Sequence, residues 1–262
     1  MDWSRAKTVF IIMFLILDIF LFYQFMNQKS ENNFDIIQET PIDQQLKADN
    51  IQIKTELPDK PLKESYIKAD EMHFKKQQLI DLSNQTITII NDTTLKSELT
   101  RPYKLKNDWK AADIDHFVST YTFNGDKYKF AEYDRSKNII TYYQVYKNHV
   151  LFKNKSGRIQ LFLNDQNEIV SYTQTMLGGI EEVSKQEIIT AYDAMIILYN
   201  KGLLDGGSSI TNVEFGYYTL VPIKTSQLLA PTWRFTIDRK YDFFVNAVEG
   251  HVLNAEEEHL SS

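Results

Sequence analysis

Histidine and carboxylate side chains are the first place to look for acid–base or metal chemistry, because both titrate and coordinate near neutral pH. The five histidines, His73, His116, His149, His251 and His259, are scattered and form no H-E-x-x-H pair. Asp113-Ile114-Asp115-His116 is the densest carboxylate–imidazole grouping. Its bland reading is surface charge. The chain has no G-x-S-x-G elbow and no glycine-rich phosphate loop. It also lacks cysteine, which excludes disulfides, thiolate metal sites and cysteine nucleophiles. A hydrolase built on two carboxylates needs no local motif and stays open. The expectation is a chain with no catalytic residues, no metal site and no cofactor.

Two further chemistries remain. Asp18 lies inside the apolar run from Thr8 to Met26, where a carboxylate costs a few kcal/mol or more if the run enters lipid. Phe14, Leu15, Leu21 and Phe22 flank it at i±3 and i±4, so one helix face would carry all five. That face either contacts another transmembrane helix, or Asp18 is tolerated there by protonation or snorkelling. Trp3, Trp109 and Trp233, with 15 tyrosines, could line a peptide or glycan groove or could be sheet core.

The element that must position Asp18 is a helix of about 28 Å over residues 8–26, close to a hydrocarbon thickness. Arg5 and Lys7 precede it, which predicts a cytoplasmic N-terminus and export of everything after it. The exit, Phe22-Tyr23-Gln24-Phe25-Met26-Asn27-Gln28, lacks the small residues a signal peptidase needs, so the anchor is expected to be retained. Beyond residue 26 there are 27 basic against 33 acidic residues, a net charge of −6. That sign excludes nucleic acid as a partner and disfavours flat adsorption on anionic lipid.

With 43% hydrophobic and 24% charged residues the chain is globular rather than disordered, and 13% aromatics point to sheet. The fold class expected is α+β: one N-terminal transmembrane helix, then an extracytoplasmic ectodomain rich in antiparallel sheet with a few covering helices. The boundaries read as 1–7 cytoplasmic, 8–26 anchor, 27–63 juxtamembrane segment, 64–150 first α+β unit, 151–254 second α+β unit and 255–262 tail. In the juxtamembrane segment, Thr40-Pro41 starts a short capped helix with Ile42 four before Leu46, and 51–57 alternates like a strand. In the first unit, 86–90, 119–123, 128–130 and 139–143 read as strands, Asn124-Gly125-Asp126 as a hairpin turn, and 108–118 as a poorly periodic helix. In the second, 157–163 and 168–176 form a hairpin. Ser184-Lys-Gln-Glu187 is a capping box for a helix whose stripe is Ile188, Tyr192, Met195 and Tyr199. Residues 213–221 read as a strand, and 233–237 pairs with 243–247.

Met1-Asp2-Trp3-Ser4-Arg5-Ala6-Lys7-Thr8-Val9-Phe10-Ile11-Ile12, then Phe14-Leu15 and the polar Asp18, resembles the start of the YycI (WalI) family. Ser171 to Met176, Gly216-Tyr217-Tyr218 and Gln227-Leu-Leu-Ala-Pro231-Thr-Trp233 resemble the same family, whereas 65–145 carries no such motif. The resemblance implies a membrane-anchored auxiliary regulator of the WalK/WalR two-component system. It would act on the WalK sensor kinase with the sister protein YycH, in the control of cell-wall metabolism. It also implies that Gly216, Tyr217, Tyr218, Pro231 and Trp233 are structural. Some members carry Asn where Asp18 stands, so hydrogen bonding rather than charge would be the shared property. The rival expectation is an envelope-anchored peptide- or glycan-binding module or hydrolase.

Overall fold

In a computed structural model of the chain, residues 3–31, 42–58, 62–106, 108–222 and 226–253 are described, with the side chains of 4–6, 9, 23–31, 62 and 221–222 excepted. The Thr40-Pro41 cap, His259 and the tail 255–262 lie outside the described residues. The chain divides into two units, 1–48 and 49–262.

The first unit holds α1 (Trp3–Glu31) and α2 (Ile42–Ala48). No glycine or proline interrupts α1, and the large apolar side chains between Phe10 and Phe22 are all exposed, around every side of the helix. Among the described residues no helix is long and apolar enough to cross a membrane. The uninterrupted run of described side chains in α1 is 10–22. In α2, Asp43 sits in the first turn and Lys47 in the last, each at the end of the helix dipole that favours its charge, and Leu46 is buried.

The second unit is built from β1 (Gln52–Ile53), β2 (Leu62–Glu71), β3 (Gln85–Ile90), β4 (Thr94–Lys104), α3 (Ala111–Tyr121), β5 (Tyr128–Asp134) and β6 (Ile139–Tyr146). It continues with β7 (His149–Phe152), β8 (Arg158–Leu163), β9 (Glu168–Thr175), β10 (Leu177–Ile188), α4 (Ala191–Asn200), β11 (Ser209–Pro222), β12 (Gln227–Ile237) and β13 (Tyr241–Asn246). The sheet runs β10-β2-β12-β11-β7-β6-β8-β9-β4-β3, with β1 beside β11, β13 beside β12 and β5 beside β6. Its pairings are antiparallel except β1–β11 and β11–β7. This is the sheet-rich α+β architecture expected from the sequence.

Two lobes share the sheet. In one, α3 lies over β5, β6, β8 and β9, and Ile114, Phe117 and Val118 pack with Ile140, Tyr142, Leu161 and Tyr172. In the other, α4 lies on β12 of the β2, β10–β13 group. Strand β6 belongs to both: its first part pairs with β5 and β8, and Val145–Tyr146 pair with β7. Strands from either side of residue 150 pair with each other, β6 with β8, β4 with β9 and β2 with β10.

Four local expectations are corrected. Residues 119–121 finish α3 rather than opening a strand, because Ile114, Phe117, Val118 and Tyr121 repeat at helical spacing and face the core. Asn124-Gly125-Asp126 does not join two strands but forms a 3-10 turn between α3 and β5; Asn124 has φ 48°, and a Cβ at Gly125 would lie 1.9 Å from the Val118 carbonyl oxygen. Ser184 and Glu187 do not cap a helix, since 184–188 pairs with 62–66 of β2. The box is Thr190 and Asp193: Thr190 Oγ1 accepts from the Asp193 N–H at 3.1 Å, and Asp193 Oδ2 accepts from the Thr190 N–H at 3.2 Å. Met195 of the expected stripe is fully buried, with Ala191, Ala194 and Leu198. The strand expected over 51–57 is only Gln52–Ile53.

Candidate functional site

Two groups of residues were singled out by sequence, and they lie in different units. Phe14, Leu15, Asp18, Leu21 and Phe22 occupy one uninterrupted helical stretch of α1, so their i±3 and i±4 spacing places them on one face. The four apolar members are 51–66% exposed, and Asp18 is exposed among them. Lys7 is exposed; the side chain of Arg5 lies outside the described residues.

The second group is brought together by strand pairing. Tyr217 of β11 stands opposite Pro231 of β12, Gly216 opposite Thr232 and Tyr218 opposite Ala230, so segments about 15 residues apart form one patch of the ladder. Gly216 is required by close approach rather than by an unusual backbone angle. Strand β7 runs beside it, and a Cβ there would sit 2.4 Å from the Val150 oxygen and 2.5 Å from the Phe152 ring. Trp233 is buried, and its indole N–H donates to the Ile189 oxygen at 2.9 Å, tying β12 to the entry of α4. Burial raises the Tyr217 hydroxyl pKa, and the nearby Glu64 carboxylate adds to the rise. The motif residues thus hold the junction of β7, β11, β12 and α4 together.

The Asp113-Ile-Asp115-His116 grouping separates into independent tasks. Asp113 caps α3, accepting from the Lys110 N–H at 3.0 Å and from Lys106 at 3.1 Å, and these bonds hold its carboxyl below the usual range. Asp115 accepts from the Tyr142 hydroxyl at 2.9 Å, and His116 is exposed. Among the described residues no three metal-ligating side chains converge.

Three networks had no signal in the sequence, because their members are far apart along the chain. Lys129 of β5 and Arg234 of β12 both hold Glu214, at 2.6 and 2.7 Å, and Arg234 also lies over the Phe152 ring at 5.2 Å. The Gln144 side chain accepts from the Leu177 N–H at 2.8 Å and donates to its carbonyl at 2.9 Å, replacing a strand neighbour. Asn154 donates to Thr219 and Gln227, Gln227 to Ser156, and Ser156 to Glu71, at 2.6–2.8 Å. The Gln144 and Asn154 networks close buried polar groups that would otherwise cost about 1–3 kcal/mol apiece.

A cleft of about 830 Å³ opens beside the start of α3, lined by Asp108, Trp109, Lys110, Tyr133, Arg135 and Asn167. Of the three tryptophans considered for a groove, Trp109 is here, Trp233 is core and Trp3 is exposed on α1.

A family model described as "YycI protein" matches residues 31–248. No curated protein matches the chain. Solved structures similar to it include an uncharacterized protein from Eubacterium rectale ATCC 33656, at 8% identity and a TM-score of 0.49 over 78% of this chain and 91% of that one. YycH from Bacillus subtilis is similar at 15% identity and a TM-score of 0.44, over 74% of this chain and 54% of that one, about half its length. The C-terminal domain of Bacillus megaterium YpeB is similar at 11% identity and a TM-score of 0.40, over 70% and 98%.

Proposed function

The chain belongs to the YycI family, and from that premise we propose that it is a non-enzymatic, membrane-anchored regulator of a WalK-like sensor histidine kinase, acting with a YycH-like partner in cell-wall homeostasis. The observation that carries the proposal is α1, apolar on every side from Phe10 to Phe22 with a single carboxylate, Asp18. A helix of this kind suits the inside of a large protein or a bilayer, not a water-facing surface. In this reading residues 8–26 span, Arg5 and Lys7 stay in the cytoplasm, and the sheet unit lies outside. Asp18 then has no water to bond, and a neighbouring helix that offers a partner gains specificity, with contacts averaging under about 1 kcal/mol.

Two measurements test this. Protease added to protoplasts is expected to remove a C-terminal tag from a full-length, membrane-retained protein; a protected tag, or a soluble form lacking 1–26, refutes the topology. Asp18→Leu is expected to leave insertion intact, weaken co-purification with the kinase and shift its output, while Asp18→Asn keeps most of the effect. Exchange of the whole anchor for an unrelated helix separates this reading from a tethered binding module, whose function would survive the exchange.

A further inference from the structure

The cleft at the start of α3 has no part in the regulatory reading. Trp109 and Tyr133 meet edge to face there, with ring centroids 5.2 Å apart and planes at 63°, and form a half-buried aromatic corner. The polar side chains around the corner come from three separate segments: Asp108 and Lys110 precede α3, Arg135 follows β5, and Asn167 ends the β8–β9 turn. The last two positions are held firmly. Asp134 Oδ1 accepts from the N–H groups of Ser136 and Lys137 at 3.0 and 3.2 Å, which fixes the turn carrying Arg135. Asn167 has φ 58°, and its N–H donates to the Asn164 oxygen at 3.0 Å.

The neighbouring acids are committed elsewhere. Asp134 is paired with Lys137 at 2.9 Å, and Asp113, which feels the Lys110 charge, is held by the Lys110 N–H and by Lys106. Among the described residues, Lys110, Arg135 and Asp108 enter no ion pair, and the Asn167 side-chain amide makes no hydrogen bond. A half-buried aromatic corner ringed by two unpaired cations, a free carboxylate and a free amide is an unusual lining on a chain of net charge −6.

The geometry points to a binding site for an anionic saccharide. A sugar ring presents an apolar C–H face, which fits the Trp109 and Tyr133 corner. Its hydroxyls donate to Asp108 and exchange bonds with Asn167, and its carboxylate or phosphate meets Arg135 and Lys110. A simple inorganic anion would be opposed by Asp108, and a neutral or apolar ligand would leave both cations unused, so the mixture selects a ligand with hydroxyls and an acid together. The inference does not depend on contact with a kinase.

The test uses the full-length protein in a zwitterionic, sugar-free detergent, titrated by calorimetry and tryptophan fluorescence. The probes are a muramic-acid-containing disaccharide, glucosamine 6-phosphate, the neutral N-acetylglucosamine disaccharide, and free acetate and phosphate. At least one acidic saccharide is expected to bind, at least tenfold more tightly than the neutral sugar or the free anions. Whichever acidic probe binds more tightly identifies the acid recognised. Arg135→Gln and Lys110→Gln, both exposed and outside the core, are expected to weaken binding tenfold or more with an unchanged melting transition, and Trp109→Ala to abolish the fluorescence response. The inference is overturned if neither acidic probe binds up to about 10 mM, if the neutral sugar or the free anions bind as tightly, or if Arg135→Gln binds like the parent.

Discussion

The α3 lobe and the α4 lobe each lay one helix across antiparallel strands, yet they fill the space beneath it differently. Under α3 the core is rich in tyrosine: Tyr128, Tyr142 and Tyr172 are buried, and their hydroxyls donate to the Thr175 oxygen, to Asp115 and to the Tyr121 oxygen at 2.6–2.9 Å. In the α4 lobe Ala191, Ala194, Met195 and Leu198 form the buried helix face, and Trp233, Phe235 and Phe244 are buried in the strands. The first lobe gains direction from tyrosine hydroxyls bonded inside an apolar core; in the second the buried helix face is wholly apolar, and Asn154, Ser156 and Gln227 bond one another beside β11 and β12. Tyrosine burial has a chemical consequence that phenylalanine burial lacks, because each hydroxyl must stay neutral to remain inside.

The largest expected effect breaks the second lobe and asks whether the first survives. Met195→Asp places an unpaired charge at a fully buried position, at a cost of several kcal/mol against a typical total of about 5–15. Because β6 belongs to both lobes, Trp109 and Trp233 fluorescence are expected to report one common unfolding transition at lower temperature. Separate transitions would make the lobes independent.

Alkali should act through the buried tyrosines, three of which lie under α3. Burial, then the Glu132 charge, pushes Tyr143 up to about 12, and burial raises Tyr128, Tyr142 and Tyr172 further. A folded pKa above the unfolded value near 10 gives stability that is complete below pH 10 and is lost as pH rises through 12 and beyond. Absorbance at 295 nm, followed with far-UV circular dichroism, is expected to show these tyrosines ionising only together with unfolding. Early, fully reversible ionisation of all of them in the folded state would show a wetter core than the buried hydroxyls imply.

A smaller effect is expected where the two lobes meet. Gly216→Val drives a side chain into the Val150 oxygen and the Phe152 ring, and overpacking of this kind costs about 1–3 kcal/mol. Urea midpoints of Gly216→Val and of the double variant with Phe152→Ala measure it; because the carbonyl remains in place, the second change should recover only part of the loss. The smallest effect belongs to the β5–β6 turn. Hydrogen bonds from Ser136, then Lys137, lower Asp134 to about 2, so its contribution is present above pH 4 and lost as pH falls through 2. Asp134→Ala is expected to change the melting transition no more than an ordinary surface substitution and to remove that part of the acid sensitivity.

Some of this was legible residue by residue. The β8–β9 hairpin, the β12–β13 pairing and the buried Met195 follow from alternation and helical spacing, which record which side of an element meets the core. The boundary between 118 and 128 is not legible locally, because Ser119 to Phe123 has strand propensity while the core selects the helical spacing of Phe117 and Tyr121. The helix start is ambiguous in the sequence because two capping boxes lie close together, and pairing with β2 claims the first.

By itself the sequence determined the apolar run 8–26 with its lone carboxylate, the sheet-rich α+β class and the absence of cysteine chemistry, since each depends on composition or on contacts within a few residues. Tertiary structure alone decided that Tyr217 faces Pro231, that Gly216 must lack a side chain because β7 passes beside it, and that Trp109 shares a cleft with Arg135 and Asn167. Those relations join residues well beyond one element's local spacing, and they arise from strand order and register, which that spacing does not encode.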